Sequence, residues 1–375
     1  MTARVAIVGG GTAGHVYPGL ALAGTLRERG HDVTFLGTET GLEAKLVPAA
    51  GFPFRVIRAR PFVRQRARAM LRAPFVAMAA VRESRPLVRR ADVVVGMGGY
   101  VSVPAAVAAW REGVPLVLHE QNAIPGLANR ALSRMARTVA LSFGDAARFF
   151  PLRARIEVTG NPVRNEVLRV PIDREALAKE ARQEFDLEEP RRTVLIFGGS
   201  LGALHIDRAA VGASRVLRHR SDLQLLLITG PTHLEAVERA MAQPEGLAGG
   251  GSNLLLRRVG YADRMDLAYA CADLVVARAG ATTVAELTAC GLPSVLVPYP
   301  YATRDHQAAN ARAVQRAGGA TVLLDDQLSA ESLAERISTL IDDEERLESM
   351  ADGARAFGRP DASDRLADVV TGVAA

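Results

Sequence analysis

The sequence predicts an α/β protein in which a doubly wound parallel sheet occurs twice. Three observations carry this. Short apolar runs alternate with helix-like stretches along the whole chain, the pattern of strands buried on both faces of a parallel sheet. The two halves open alike, Val5-Ala6-Ile7-Val8-Gly9-Gly10-Gly11-Thr12-Ala13-Gly14 matching Thr193-Val194-Leu195-Ile196-Phe197-Gly198-Gly199-Ser200-Leu201-Gly202 as strand, glycine turn and helix start. The length, 375 residues, suits two domains at roughly 100–200 residues each.

Taken in order, the first series of expected strands is Arg4–Val8, Asp32–Leu36, Asp92–Val95, Pro115–His119, Val139–Leu141 and Ile156–Thr159. The second is Thr193–Phe197, Leu223–Thr229, Asn253–Arg257, Leu274–Ala277, Ser294–Val297 and Thr321–Leu324. Between the series, Gly160-Asn161-Pro162-Val163-Arg164 reads as the linker, because Asn-Pro marks a turn and Pro162 bars helix continuation. The expected domains are residues 1–161 and 162–344, followed by a polar helical segment, 345–375, broken near Gly358–Pro360.

A content of 49% hydrophobic and 23% charged residues excludes global disorder. The net charge of +5 conceals a split: residues 1–160 hold 22 basic against 10 acidic side chains, the remainder 24 against 31. Arg55–Arg90 alone has eleven arginines and one acid, Glu83. Such clustering points to a polyanion or an anionic membrane. Arginine-biased codon usage explains why only Lys45 and Lys179 are lysines, but not the clustering. Within it, Arg64, Arg66, Arg68, Arg72 and Arg82 surround Met70, Leu71, Phe75, Val76 and Met78. Phe75, Met78 and Ala79 have i, i+3, i+4 spacing, so Arg64, Arg68, Arg72, Phe75 and Met78 are read as a basic amphipathic helix at an anionic lipid surface. The alternative packs Phe75 and Met78 into the core. A nucleic-acid partner ranks below the membrane, since no Tyr or Trp stacking set is interleaved.

Cys271 and Cys290 lack metal-ligand spacing, which excludes a disulfide framework and fits a reduced compartment. No metal or cofactor is expected: the histidines are scattered and no D-x-D triplet occurs. The uncharged runs Val93–Trp110 and Leu287–Thr303 are broken by glycines and prolines, and the apolar core Val5–Val8 is too short for a signal sequence. Membrane association is therefore expected to be peripheral.

Four motifs carry chemistry. Gly9, Gly11 and Gly14 form G-x-G-x-x-G, which offers close backbone approach and free N–H groups to a phosphate. It also suits an NAD or FAD oxidoreductase, whose ribose-binding acid would fall near Glu39 or Glu43. His15 follows directly, either structural or a general base. The strand Leu274–Ala277 leads into Arg278-Ala279-Gly280-Ala281-Thr282-Thr283-Val284-Ala285-Glu286, another anion site at a helix start, with Ala281, Thr282 and Thr283 at the phosphate and Glu286 placed for a ribose diol or simply favoured by the helix dipole. Finally, Gln307, after the loop Pro298–His306, can donate and accept toward sugar hydroxyls, or merely sit on a solvated helix start.

Seven motifs then occur in order: Gly10–Pro18, Gly96–Ser102, His119–Asn122, Gly160–Arg164, Gly198–Ala203, Arg278–Glu286 and Asp305–Gln307. Together, over about residues 4–320, they resemble the MurG family of bacterial glycosyltransferases, which transfer N-acetylglucosamine from UDP-GlcNAc to lipid I and make lipid II for peptidoglycan. The resemblance implies a GT-B fold, two Rossmann-like domains with an interdomain cleft, and metal-independent inverting transfer. It places donor contacts on Thr12, Ala13, Gly14, Asn122, Arg164, Ser200, Thr283, Glu286 and Gln307, and catalysis on His15, with Glu286 positioning the ribose. Gly11, Gly14, Gly98, Gly99 and Tyr100 would face the acceptor diphosphate. The terminal helix would pack back on the first domain. Partners would be UDP-GlcNAc, lipid I, the anionic cytoplasmic face of the cell membrane, and proteins of cell-wall growth and division. One departure is Leu201, where the family usually has glutamine, so that side chain is left out of the site. A non-catalytic nucleotide-sugar binder remains the third reading.

Overall fold

The computed structural model describes residues 2–57, 67–199, 202–230, 232–242 and 252–374, with 67–77 and 240–242 described only as helix. Arg64, Ser200 and Leu201 lie outside the described residues. The chain forms two units, Met1–Arg164 with Arg359–Ala375, and Asn165–Gly358.

The first unit holds a seven-stranded parallel sheet of β1 (Arg4–Val8), β2 (Asp32–Gly37), β3 (Phe54–Val56), β4 (Val93–Gly96), β5 (Leu116–Glu120), β6 (Thr138–Leu141) and β7 (Ile156–Val158), in spatial order 3-2-1-4-5-6-7. The second holds six strands, β8 (Arg192–Phe197), β9 (Leu223–Ile228), β10 (Leu255–Val259), β11 (Leu274–Ala277), β12 (Ser294–Leu296) and β13 (Ala320–Val322), in order 10-9-8-11-12-13. Every strand pair is parallel. The expected strands all form, with ends moved by at most two residues. The one strand not expected is β3. It is a three-residue edge strand behind Phe52-Pro53 with Arg55 and Val56 exposed, too short to show an apolar run.

Burial on both faces explains the unbroken apolar runs. Along β1, Val5 and Ile7 join one core cluster while Ala6 and Val8 join another, on the opposite face. The first cluster is completed from the end of the chain: Leu366, Ala367, Val369 and Val370 of the helix Ala362–Ala374 pack with Val5, Ile7 and Leu22. Arg29 reinforces this contact through Asp364 and Asp368, each at 2.6 Å. The terminal segment is therefore divided. The helix Glu344–Phe357 belongs to the second unit, where Leu347 and Met350 enter its core, and the chain enters the first unit only from Arg359. The other boundary falls after Arg164, not Asn161.

In each sheet the order reverses beside the first strand, at β1/β4 and at β8/β11. Loops leaving such a pair turn to opposite faces and open a crevice at the carboxyl ends of the strands, where ligands bind in this architecture.

Leu366 is fully buried. Leu366→Ala is expected to lower the stability of the first unit by about 2–5 kcal/mol, read as an earlier unfolding transition in denaturant with the second unit's transition unchanged.

Candidate functional site

At the β1/β4 crevice the chain places Gly9–Gly14 after β1, Met97–Tyr100 after β4 and Gln121-Asn122 after β5. These loops are close enough to require glycine. Gly98 has φ of +94°, and a Cβ there would lie 3.2 Å from His15 Nε2. A Cβ on Gly99 would lie 3.4 Å from the Gly10 carbonyl oxygen. Tyr100 lies across from Gly11, its Cε1 3.6 Å from where a Gly11 Cβ would stand. Thr12 is the N-cap of the helix Ala13–Glu28, but its hydroxyl is 3.0 Å from His15 Nδ1 rather than on the helix N–H groups. Half-buried His15 also places Nδ1 3.2 Å from the Gly10 oxygen.

Buried polar side chains tie these loops down. Ser102 donates to Gly98 O at 2.7 Å and Val8 O at 3.0 Å. Gln121 donates to Met97 O at 2.7 Å and to His119 Nδ1 at 3.0 Å. The Gln121 amide is a donor there, so His119 Nδ1 accepts, and its Nε2–H donates to Gly160 O at 3.0 Å. Burial pushes the His119 imidazole down to about 4, so it is neutral. Glu120 accepts from Asn122 N, Gly126 N and Asn129 Nδ2 at 3.0, 3.0 and 2.9 Å. Burial pushes its carboxyl up despite those donors. Asn122 is thus fixed through its own backbone, and the Arg164 guanidinium lies 4.8 Å from the centre of the Tyr17 ring.

Glu43 has a different position from the one an oxidoreductase requires. It is 1% exposed and turned inward, its Oε2 accepting Gly11 N–H at 3.0 Å and its Oε1 accepting the N–H and hydroxyl of Thr38 at 2.9 and 2.7 Å. Burial alone would raise its pKa, but the hydrogen bonds from Thr38 and Gly11 outweigh it and hold the carboxyl below its usual range. That carboxylate is not presented to a ribose.

In the second unit the helix Ala281–Ala289 starts at the β11 end of the β8/β11 crevice. Asn310 Nδ2 donates to Ala279 O at 3.1 Å and fixes the preceding turn. The Thr282 hydroxyl is buried without a protein partner, and Thr283 is half-buried beside it. Glu286, 4% exposed, accepts the Tyr269 hydroxyl at 2.8 Å through Oε2, which orients the carboxylate. Arg278 does not face the crevice as a spare cation. It donates to Pro298 O at 3.2 Å and pairs with Asp325. It thereby anchors the loop whose Tyr299 N–H donates to Gln307 Oε1 at 2.9 Å. One of the two lone pairs of the Gln307 carbonyl is thus engaged, which orients the side-chain amide. After β8, Gly202 (φ +74°) packs so tightly that a Cβ would fall 2.1 Å from Thr229 O. Beneath this loop, Asp207 meets His233 at 3.1 Å, and burial raises its carboxyl above the usual range despite that partner.

The arginine segment is partly neutralised. In the helix Ala67–Val88, the inward positions are Ala80, Val81, Ser84 and Val88, whereas Met78 is 60% exposed, so the core-packing alternative fails for Met78. Arg85 and Arg89 both pair with Glu112. Arg68, Arg72 and Phe75 lie on this helix, among residues described only as backbone. Among the described residues no helix is long and apolar enough to cross a membrane.

Sequence reasoning assigned no role to Gln121, Tyr269 or Arg278, nor a loop-anchoring one to Glu43. The partners of Tyr269 and Arg278, Glu286 and Asp325, lie 17 and 47 residues away, while Gln121 and Glu43 hold loop backbone at Met97 and Gly11 besides the nearby His119 and Thr38 side chains, and no local pattern announces such contacts.

Two Rossmann-like units, each with a glycine turn at its switch-point crevice, are the GT-B fold of nucleotide-sugar enzymes, and comparison with known proteins places the chain among the glycosyltransferases. Residues 5–141 match the glycosyltransferase family 28 N-terminal domain and residues 193–366 its C-terminal domain, so the chain belongs to glycosyltransferase family 28. Relatives from Acidothermus cellulolyticus (44% identical, 99% of this chain and 98% of that one) and Bacillus subtilis (39%, 98% and 98%) are both named UDP-N-acetylglucosamine–N-acetylmuramyl-(pentapeptide) pyrophosphoryl-undecaprenol N-acetylglucosamine transferase. The crystal structure of Acinetobacter baumannii MurG is similar over 99% of both chains, with 31% identity and a TM-score of 0.78.

His119 is expected to stay neutral throughout the physiological range, its ring-proton NMR signals not titrating between about pH 8 and pH 5. Because its folded pKa of about 4 lies below the ordinary 6.5, the unfolded chain takes up the proton first. Stability is therefore lost as pH falls from about 6.5 to about 4, by roughly 3 kcal/mol from this group.

Proposed function

We propose that this protein transfers N-acetylglucosamine from UDP-GlcNAc to the C4 hydroxyl of the muramyl sugar in lipid I, forming lipid II for peptidoglycan, with inversion and release of UDP. The observation that carries this is the unbroken likeness to transferases of that name over 98–99% of the chain, both family 28 domains included.

In this reading the second unit holds the donor. The helix start at Ala281, Thr282 and Thr283 takes the diphosphate, the unpartnered Thr282 hydroxyl supplying a ready donor. Glu286 holds the ribose diol, Gln307 donates to the sugar, and the third glycine loop with Ser200 contributes backbone N–H groups. Thr12, Ala13, Gly14, Asn122 and Arg164 complete the donor contacts. The glycine loops at Gly11, Gly14, Gly98 and Gly99, with Tyr100, receive the acceptor diphosphate. His15 takes the proton from the C4 hydroxyl as that oxygen attacks the anomeric carbon. The charge developing on UDP is stabilised by the helix N-terminus, which is already oriented before reaction. The protein acts peripherally at the cytoplasmic face of the membrane, held by the basic segment that includes Arg64, Arg68 and Arg72, and by Phe75 and Met78.

Incubation with a lipid I analogue and UDP-GlcNAc is expected to release UDP and add one HexNAc mass to the lipid; binding of UDP-GlcNAc without transfer, beside an active control enzyme, leaves only the non-catalytic reading. His15→Ala is expected to lower kcat by about 10²–10⁴-fold with little change in the KM for UDP-GlcNAc, and near-normal turnover at saturation removes the assignment. Binding to anionic vesicles is expected to weaken as salt is added; salt-independent binding contradicts the electrostatic part.

A further inference from the structure

Glu43 is a buried carboxylate that neither the transfer reaction nor the anion-binding turns require. The fold makes room for it at three glycines. A Cβ on Gly10 would stand 2.2 Å from its Oε1, one on Gly41 2.1 Å from its Oε2, and one on Gly37 2.5 Å from its Cγ. No side chain fits at any of the three while Glu43 keeps its place.

The N–H that Glu43 Oε2 accepts, that of Gly11, shares a peptide group with the Gly10 carbonyl. In a trans peptide these two bonds point in opposite directions. One end meets Glu43 at 3.0 Å and the other lies 3.2 Å from His15 Nδ1. A carbonyl oxygen only accepts, so Nδ1 carries the proton in that bond, and the neutral ring then has its lone pair on Nε2. Thr12 Oγ1, 3.0 Å from the same nitrogen, can accept the same proton. The Nε2 edge lies against Gly98.

We infer that Glu43 is a positioning residue for His15, acting through the Gly10–Gly11 peptide. The carboxylate anchors and polarises the peptide, and the peptide carbonyl holds the imidazole in the Nδ1–H form with Nε2 as the basic nitrogen beside Gly98-Gly99. Carboxylates fix a catalytic imidazole in this way by direct contact; here one peptide group is interposed, and hydrogen bonds in such a chain strengthen one another. The inference rests on His15 being the base proposed above.

Glu43→Gln supplies one carbonyl oxygen where the Gly11 and Thr38 donors occupy two, so an amide N–H must face a backbone N–H. In the full-length protein, long-range ¹⁵N–¹H NMR is expected to show His15 as the Nδ1–H tautomer in wild type and as a mixture in Glu43→Gln. The variant is expected to lose about 10-fold or more in kcat, with the KM for UDP-GlcNAc within about twofold of wild type. In a His15→Ala background the same substitution is expected to cost nothing further, because both act through one imidazole. An equal loss in both backgrounds makes Glu43 merely structural and overturns the inference. So does a wild-type His15 in the Nε2–H form, a result that stands even if Glu43→Gln does not fold. Should His15→Ala keep its turnover, the base assignment fails separately, and the tautomer still decides whether the peptide links Glu43 to the ring.

Discussion

The close approach of backbone to backbone at the two sheet switch points is the constraint from which the rest of the structure follows. Where parallel strand order reverses, the loops after neighbouring strands part and leave a crevice lined by peptide groups. Glycine recurs at Gly98 and Gly202 because φ is positive at both and a Cβ would crowd the His15 ring at the first and strike the Thr229 carbonyl at the second. Loops so stripped of side chains cannot hold themselves by packing. They are held instead by polar side chains brought in from elsewhere: Gln121 and Ser102 on the β4 loop, Glu120 on the β5 loop, Asn310 and Arg278 in the second unit. Each is buried, and each is spent on hydrogen bonds to backbone. Losing one would leave a buried donor or acceptor unmatched, costing about 1–3 kcal/mol, so the anchors specify loop shape as firmly as the apolar core specifies the sheet.

Charge follows a related logic. The second half of the chain carries more acid than base, yet the proposed reaction places an anion at its crevice. The contradiction is removed by distance: an anion at a helix start interacts with N–H groups a few ångströms away, while distant carboxylates are screened within about 10 Å. Arg278, the cation nearest that turn in sequence, is committed to Asp325 and two carbonyl groups, which in the proposed reaction leaves the backbone and the Thr282 hydroxyl as the donors at that turn. In the first half, part of the arginine excess is likewise internal, since Arg85 and Arg89 share Glu112. The local arrangement therefore decides what each half can bind, and net charge sets only the long-range field.

What was legible in the sequence was what depends on local pattern. Apolar runs revealed twelve strands because burial on both faces leaves no polar interruption, and the paired glycine turns revealed the duplication. The short edge strand Phe54–Val56 was not legible because two of its three residues, Arg55 and Val56, face solvent. The terminal segment was read as one piece, but the turn at Gly358–Pro360 divides it between two cores, and only Leu366, Ala367, Val369 and Val370 carry the spacing that suits the first. For the candidate site, Gly11, His15, Gly98, Asn122, Thr283 and Glu286 were expected from motifs and the family resemblance they carry. Their orientation was not, because it comes from partners remote in sequence: Tyr269 for Glu286, Tyr299 for Gln307, Glu120 for Asn122 through its own backbone.

Two chemistries that share a glycine fingerprint differ in where they need a buried or exposed carboxylate. A dinucleotide enzyme and a sugar transferase can both open with a strand, three glycines and a helix, since both need a phosphate near a helix start. They part at the acid beyond the second strand. For a dinucleotide that carboxylate must face outward to take a ribose diol. Of the two candidates here, Glu39 is exposed, while Glu43 faces inward, cradled by Gly10, Gly37 and Gly41 and saturated by Gly11 and Thr38, so the family 28 match over both units, more than this acid, sets the dinucleotide reading aside. The ribose-binding carboxylate of the proposed reaction lies instead in the second unit, at Glu286. In the proposed reaction the first glycine turn holds no dinucleotide: Gly11–Gly14 contact donor and acceptor, and the Gly10–Gly11 peptide faces Glu43 and His15. Its peptide groups are then available to orient an imidazole, and His15 stands one residue past the last glycine of the fingerprint, where the turn can hold it.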